Sequence, residues 1–199
     1  MVLPNLPAMQ RIGLYGGSFD PIHTGHLLVG QAAIEELQLT RLSFIPAARS
    51  PFKPEQQPAP CEQRLAMIRL ALAGRTNCDV DDFEIQRGGT SFTIDTVRYF
   101  AQRFPAAKLF YLIGADNVPG LPKWREAEAL AGLAEFVVIP RPGEPPVALP
   151  APFQGKYLVG FPFGVSASQI RARVRAGQLL EPLVPAAVAE VIRNNRLYL

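Results

Sequence analysis

Apolar residues recur along this chain with two periods that alternate. Residues 11–15, Arg-Ile-Gly-Leu-Tyr, form a short apolar run of strand type, and residues 26–37 carry Leu27, Leu28, Ala32, Ile34 and Leu37 at helical spacing. Between them stands a glycine-containing turn. A second strand is predicted over 41–46, followed by a proline-rich loop over 47–60 and a helix over 62–73 that Gly74 closes. Further on, the pattern predicts a strand over 83–86, a helix over 93–103 ended by Pro105, a strand over 108–113, a helix over 125–133 and a strand over 135–140. A last strand over 156–159 precedes helices over 168–176 and 185–194. Strands that alternate with helices in this way build an α/β fold, Rossmann-like and doubly wound, with a mainly parallel sheet. The expected organisation is a flexible leader at 1–10 and a single domain over 11–199, with the proline-rich stretch 141–152 as an exposed loop inside it.

Composition narrows the partners. The chain has 199 residues, 48% of them hydrophobic, which is enough for one substantial core. Its formal charge is +3, from 20 basic and 17 acidic side chains. That balance suits a small phosphate-rich ligand and lacks the dense basic stripe of a nucleic-acid binder. No stretch approaches the ~18 apolar residues of a membrane span, and the first ten residues lack the basic and apolar regions of a secretion signal. A cytoplasmic protein is expected, with no nucleic-acid or membrane partner, and a homo-oligomer is left open. Cys61 and Cys78 have no metal-ligand spacing and read as free thiols in a reducing compartment.

The informative segment is Gly16-Gly17-Ser18-Phe19-Asp20-Pro21-Ile22-His23-Thr24-Gly25-His26, between the first strand and the first helix. Glycine lets backbone N–H groups approach an anion without interference from a Cβ, and the N-terminus of the following helix adds partial positive charge. His23 and His26 are the two histidines of the chain, three residues apart at the mouth of that helix. Both imidazoles can reach one triphosphate, as hydrogen-bond donors or as cations. A capped helix that happens to hold two histidines is the plainer alternative, and the coincidence of glycines with histidines weighs against it.

The string resembles the G-G-x-F-D-P-x-H-x-G-H motif of the HxGH nucleotidyltransferase superfamily, and especially the bacterial nicotinate mononucleotide adenylyltransferases. The resemblance implies that His23 and His26 hold the ATP phosphates and stabilise the transition state, with Gly16, Gly17, Ser18 and Phe19 forming the phosphate cradle. Downstream, Val165-Ser166-Ala167-Ser168-Gln169-Ile170-Arg171 is similar to the family's I-S-S-T-x-I-R. It implies catalytic roles for Ser168 and Arg171 and an ATP-binding role for Ser166; taken alone it is a serine-capped helix. Val165 and Ala167 depart from the pattern. Gly114-Ala115-Asp116-Asn117 and Leu121-Pro122-Lys123-Trp124 resemble the family's GAD and LPxW segments. They imply that Gly114 and Asp116 bind ATP, with Asp116 on ribose hydroxyls, and that Trp124 stacks on a pyridine ring. Thr90-Ser91-Phe92-Thr93-Ile94-Asp95-Thr96 resembles S-Y-T-x-D-T, which implies that Thr93 meets the nicotinate carboxylate. Arg49-Ser50-Pro51-Phe52-Lys53 takes the place of P-P-H-K: Phe52 replaces the histidine, and Lys53 remains as an acceptor-binding candidate. The resemblance runs from about Arg11 to Leu199.

The implied reaction transfers the adenylyl group of ATP to nicotinate mononucleotide, giving nicotinate adenine dinucleotide and pyrophosphate by in-line displacement without a covalent enzyme intermediate. Mg²⁺ is expected as cofactor, held mainly through the ATP phosphates and by no protein metal site. Nicotinamide mononucleotide is the second candidate acceptor, and phosphopantetheine the third. An ATP-sensing module without activity would keep the glycine cradle but has no need of the paired histidines or the serine–arginine helix. A class I aminoacyl-tRNA synthetase is disfavoured because the chain has no lysine-rich KMSKS-like loop.

Overall fold

The computed structural model describes residues 9–51, 57–161 and 163–199. The expected leader at 1–10 lies almost wholly outside these residues, as do Phe52 and Lys53.

Strand β1 (Arg11–Gly17) leads into helix α1 (Thr24–Leu37), then β2 (Arg41–Pro46), α2 (Cys61–Leu72) and β3 (Cys78–Val80). Two helices follow, α3 (Phe83–Arg87) and α4 (Thr93–Arg103), before β4 (Lys108–Gly114), a 3-10 segment (Ala115–Lys123) and α5 (Ala127–Leu133). β5 (Glu135–Ile139), β6 (Gly155–Tyr157), α6 (Ala167–Arg175) and α7 (Ala186–Asn194) complete the order. The strands form one sheet in the order β3-β2-β1-β4-β5-β6, and every pair is parallel. The expectation of a mainly parallel sheet thus becomes an all-parallel one.

Side chains alternate along the strands, and both faces are covered, as a parallel sheet requires. On β4, Phe110 and Leu112 join the cluster beneath α1, α2 and α7, whereas Leu109, Tyr111 and Ile113 join the cluster beneath α4 and α5. Val137 on β5 faces the first cluster; Phe136 and Val138 face the second. No helix among the described residues is long and apolar enough to cross a membrane.

One predicted element changes type. Residues 83–86, expected as a strand, lie in helix α3, and the strand of this region is Cys78–Val80. The Asp81 carboxylate accepts the Phe83 N–H at 3.0 Å, which turns the backbone and starts the helix. The Phe83 ring then stacks on Tyr99 of α4 at 4.2 Å. A three-residue edge strand is too short to show a period in the sequence.

The strand order reverses between β1 and β4, since β2 lies on one side of that pair and β5 on the other. At such a switch point the connections leave to opposite faces and open a crevice at the carboxyl ends of the strands. Gly16 and Gly17 end β1, and Gly114 ends β4. The glycine turn and the Gly-Ala-Asp segment therefore face one crevice, although about a hundred residues separate them in sequence.

Candidate active site

His23 occupies the N-cap of α1 in extended conformation, and His26 sits in the first turn. The His23 backbone N–H donates to Nδ1 of His26 at 3.2 Å, so the second imidazole reaches back and caps the first residue. The two rings stack with centroids 3.7 Å apart and planes 25° off parallel. His26 also packs edge-on against Phe19 at 5.0 Å. Burial holds the His23 imidazole down to about 4, and burial together with its neighbour puts His26 well below its ordinary range. Both are neutral at pH 7 in the unliganded protein. Nδ1 of His23 is buried and has no hydrogen-bond partner in the protein. A buried polar atom of this kind calls for a ligand or catalytic role.

The glycines of the turn are required by close approach. A Cβ on Gly16 would lie 2.5 Å from the Tyr111 hydroxyl, and one on Gly17 would lie 3.1 Å from the Phe19 ring. Phe19 has a φ of 44° and is 2% exposed, its ring wedged between Tyr15 and Phe44. The Phe19 side chain is therefore core, and only its backbone remains for a phosphate. The Ser18 carbonyl is held from below by Arg64 Nη1 at 2.8 Å.

Ser166 is the N-cap of α6: its Oγ accepts the Gln169 N–H at 3.3 Å, while its own N–H donates to Gln169 Oε1 at 2.8 Å. The Ser166 and Ser168 hydroxyls stand 2.9 Å apart. A Cβ on Gly25 would come within 3.2 Å of Val165, which places the start of α6 against the start of α1. One turn into α6, Arg171 Nη1 donates to the Asp20 carbonyl at 2.8 Å. The fold therefore brings the glycine–histidine motif and the serine–arginine helix together.

Thr93 and Trp124 line one cleft of about 130 Å³, together with Ser91, Phe92, Lys123 and Arg125. Trp124 sits at the end of the 3-10 segment and meets Tyr111 edge-on at 6.5 Å. Thr93 Oγ1 donates to the Tyr111 hydroxyl at 3.3 Å. Tyr111 thus spans two regions: its ring faces Trp124, and its hydroxyl lies against both Thr93 and Gly16. On the far side of the crevice, Asp116 Oδ1 accepts from Arg141 Nη2 at 3.1 Å in an exposed ion pair. A Cβ on Gly114 would overlap the Asp116 carboxylate.

Four contributors escape a reading of the sequence. Tyr111 reads as an ordinary strand residue, Arg64 as a surface position of α2, Arg141 as the start of a loop and Arg125 as a helix residue. Arg125 lies with its guanidinium 4.9 Å over the Phe92 ring. None of the four has a local pattern to mark it. Cys61 and Cys78 are free, and Cys61 accepts from Arg64 Nη2 at 3.2 Å. Among the described residues, no group of three or more His, Cys, Asp or Glu side chains is arranged to hold a metal ion.

The cytidylyltransferase-like family model matches residues 14–173, from β1 into α6. A probable nicotinate-nucleotide adenylyltransferase of Gemmatimonas aurantiaca is 42% identical over 95% of this chain and 92% of its own length. Another from Opitutus terrae is 39% identical over 95% of this chain and 98% of its own. Among solved structures, Plasmodium falciparum nicotinic acid mononucleotide adenylyltransferase complexed with NaAD superposes with a TM-score of 0.76, covering 95% of this chain and 97% of that one. At 19% identity that likeness shows the shared fold. The span of the family match and the identity to full-length relatives place this chain in the cytidylyltransferase-like family, as a member of its nicotinate-nucleotide adenylyltransferases.

Proposed function

We propose that the protein transfers the adenylyl group of ATP to nicotinate mononucleotide, releasing pyrophosphate and forming nicotinate adenine dinucleotide. The observation that carries this reading is the stacked His23–His26 pair at the helix mouth, set at the switch point of the sheet beside the cleft lined by Thr93 and Trp124. The names of the relatives agree with it.

In this reading the ATP triphosphate lies between the starts of α1 and α6. His23 Nδ1, His26, Ser168 and Arg171 donate to the oxygens that gain charge as the α-phosphorus is attacked in line. The attacking group is the acceptor's phosphate oxygen, already an anion, so no general base is required and catalysis rests on positioning and charge stabilisation. The neutral state of the imidazoles suits donation: each offers an N–H, and the approach of a polyanion raises their affinity for protons. Gly16, Gly17, Ser18 and the Phe19 backbone cradle phosphate, Gly114 leaves room for Asp116 at the ribose, and Ser166 holds α6 in place for the anion. Mg²⁺ would be held mainly through the ATP phosphates and would supply neutralisation of part of their charge. The donor set fits that arrangement, since the side chains facing the crevice are mainly N–H and O–H donors that suit phosphate oxygens.

The acceptor ring would stack on Trp124 with its substituent toward Thr93. Among the described residues, the ionisable side chains lining that cleft are Lys123 and Arg125, both cationic. Such a lining favours the carboxylate of nicotinate over the neutral amide of nicotinamide. Lys53, which precedes α2 in the sequence, would add attraction for the acceptor phosphate. The expected setting is the cytoplasm, without nucleic-acid or membrane partners.

The test is pyrophosphate release with ATP and Mg²⁺, comparing nicotinate and nicotinamide mononucleotides. A preference for the acid of at least tenfold in kcat/KM is expected. Comparable rates would remove the roles given to Thr93 and Trp124, and no release with either acceptor would remove the transferase reading.

A further inference from the structure

Asp20 lies within the phosphate turn, between Phe19 and the helix cap His23, and is 9% exposed. Groups from three distant parts of the chain converge on it. The Ala59 N–H donates to Oδ1 at 3.0 Å, and the Tyr198 hydroxyl donates to the same oxygen at 2.8 Å. Arg171 Nη1 donates to the Asp20 carbonyl at 2.8 Å and stands 3.8 Å from Oδ2. Arg64, 1% exposed, holds the neighbouring Ser18 and Ala59 carbonyls at 2.8 and 3.1 Å.

We propose that Asp20 is the positioning residue that holds Arg171 ready for the ATP triphosphate, and that Tyr198 fixes Asp20 in that role. This rests on the reading of the turn as the ATP phosphate site. A guanidinium carries five N–H donors in a rigid fork, so one donor spent on the Asp20 carbonyl leaves others for phosphate oxygens. An arginine without such an anchor must lose its side-chain freedom when ATP binds; here the fold has already ordered it. Charge supports the arrangement. The Arg171 guanidinium stands near the Asp20 carboxylate and the Arg64 guanidinium binds the adjoining Ser18 carbonyl, so two cations and one anion leave net positive charge around the turn. Burial and the nearby Asp20 carboxylate push the Tyr198 phenol well above its ordinary range, so it stays a protonated donor throughout the working pH range. The Ser18 carbonyl is drawn toward Arg64, and because a trans peptide opposes its C=O and N–H, the Phe19 N–H is directed away from Arg64.

Tyr198→Phe removes a single hydroxyl and keeps the ring. ATP affinity, measured by calorimetric titration with Mg²⁺ and no acceptor, should weaken about tenfold in this variant and further in Asp20→Asn, as expected for hydrogen bonds to charged groups. KM for the mononucleotide should stay within about twofold. In an Arg171→Gln background, Tyr198→Phe should add no further loss, because its effect acts through Arg171. Unchanged ATP affinity in both single variants would overturn the proposal. So would an additive loss in the Arg171→Gln background, or parallel weakening of both substrates, since either would show only a structural role. If Tyr198→Phe does not fold, the same two comparisons with Asp20→Asn decide. Titration without acceptor separates this idea from the acceptor assignment: a protein that binds ATP normally yet releases no pyrophosphate would sink the transferase reading and leave the Asp20 test standing. A wild-type protein that does not bind ATP would overturn both.

Discussion

Two imidazoles stacked at 3.7 Å in a buried helix mouth cannot both be charged at small cost, and burial alone already lowers the His23 pKa. His23 titrates near 6.5 when unfolded and about 4 when folded, so the unfolded chain binds more protons between those values. The stability this residue contributes is fully present above about pH 6.5 and is lost as pH falls toward 4. The loss is on the order of 3 kcal/mol from this residue. Urea midpoints at pH 7 and pH 4.5 should therefore differ more in the wild type than in His23→Asn, whose side chain does not titrate. Equal differences would show that His23 adds nothing to the acid sensitivity. The sequence reading left the imidazoles either neutral donors or cations; burial, which it does not contain, selects the neutral form.

At the scale of the element, helix α6 is a short helix with a defined start. Its N-cap Ser166 and Gln169 bond each other reciprocally, Ser166 also meets the Ser168 hydroxyl, and one turn on Arg171 reaches the Asp20 carbonyl. Ser166→Ala should cost about 0.5–2 kcal/mol in unfolding free energy, the usual value of a cap. It should weaken ATP binding as well, because a frayed first turn no longer fixes the Ser168 hydroxyl. A stability loss with intact ATP affinity would confine Ser166 to capping. This element was legible beforehand, because a serine that opens a helix follows a local rule of backbone hydrogen bonding. Helix α3 was not legible: five residues are too few for a period, and the Asp81 side chain that starts it competes with a strand pattern of similar length.

For the whole molecule, one parallel sheet is clamped between two apolar clusters, so each face depends on the other being covered. Phe44→Ala in one cluster and Phe136→Ala in the other should each cost about 3–5 kcal/mol. Each should still unfold in a single transition, with Trp124 fluorescence and far-ultraviolet circular dichroism coincident. Separate transitions by the two probes would show that the faces fold as independent units.

The sequence by itself determined the alternation of strands and helices, the caps, and the glycine–histidine turn from Gly16 to His26. These follow from periods of two and 3.6, from hydrogen bonds within a few residues, and from the steric freedom of glycine, all of which are local. Only the tertiary structure decided which distant residues meet. It set the strand order that puts the carboxyl end of β1 beside that of β4, brought Val165 at the start of α6 against Gly25 at the start of α1, and made Tyr111 of β4 the link between Thr93 and the glycine turn. It also drove Arg64 into the interior and brought Tyr198 onto Asp20. Such contacts arise from packing across the sheet, where partners tens to hundreds of residues apart are chosen by shape and burial, and no local spacing records them.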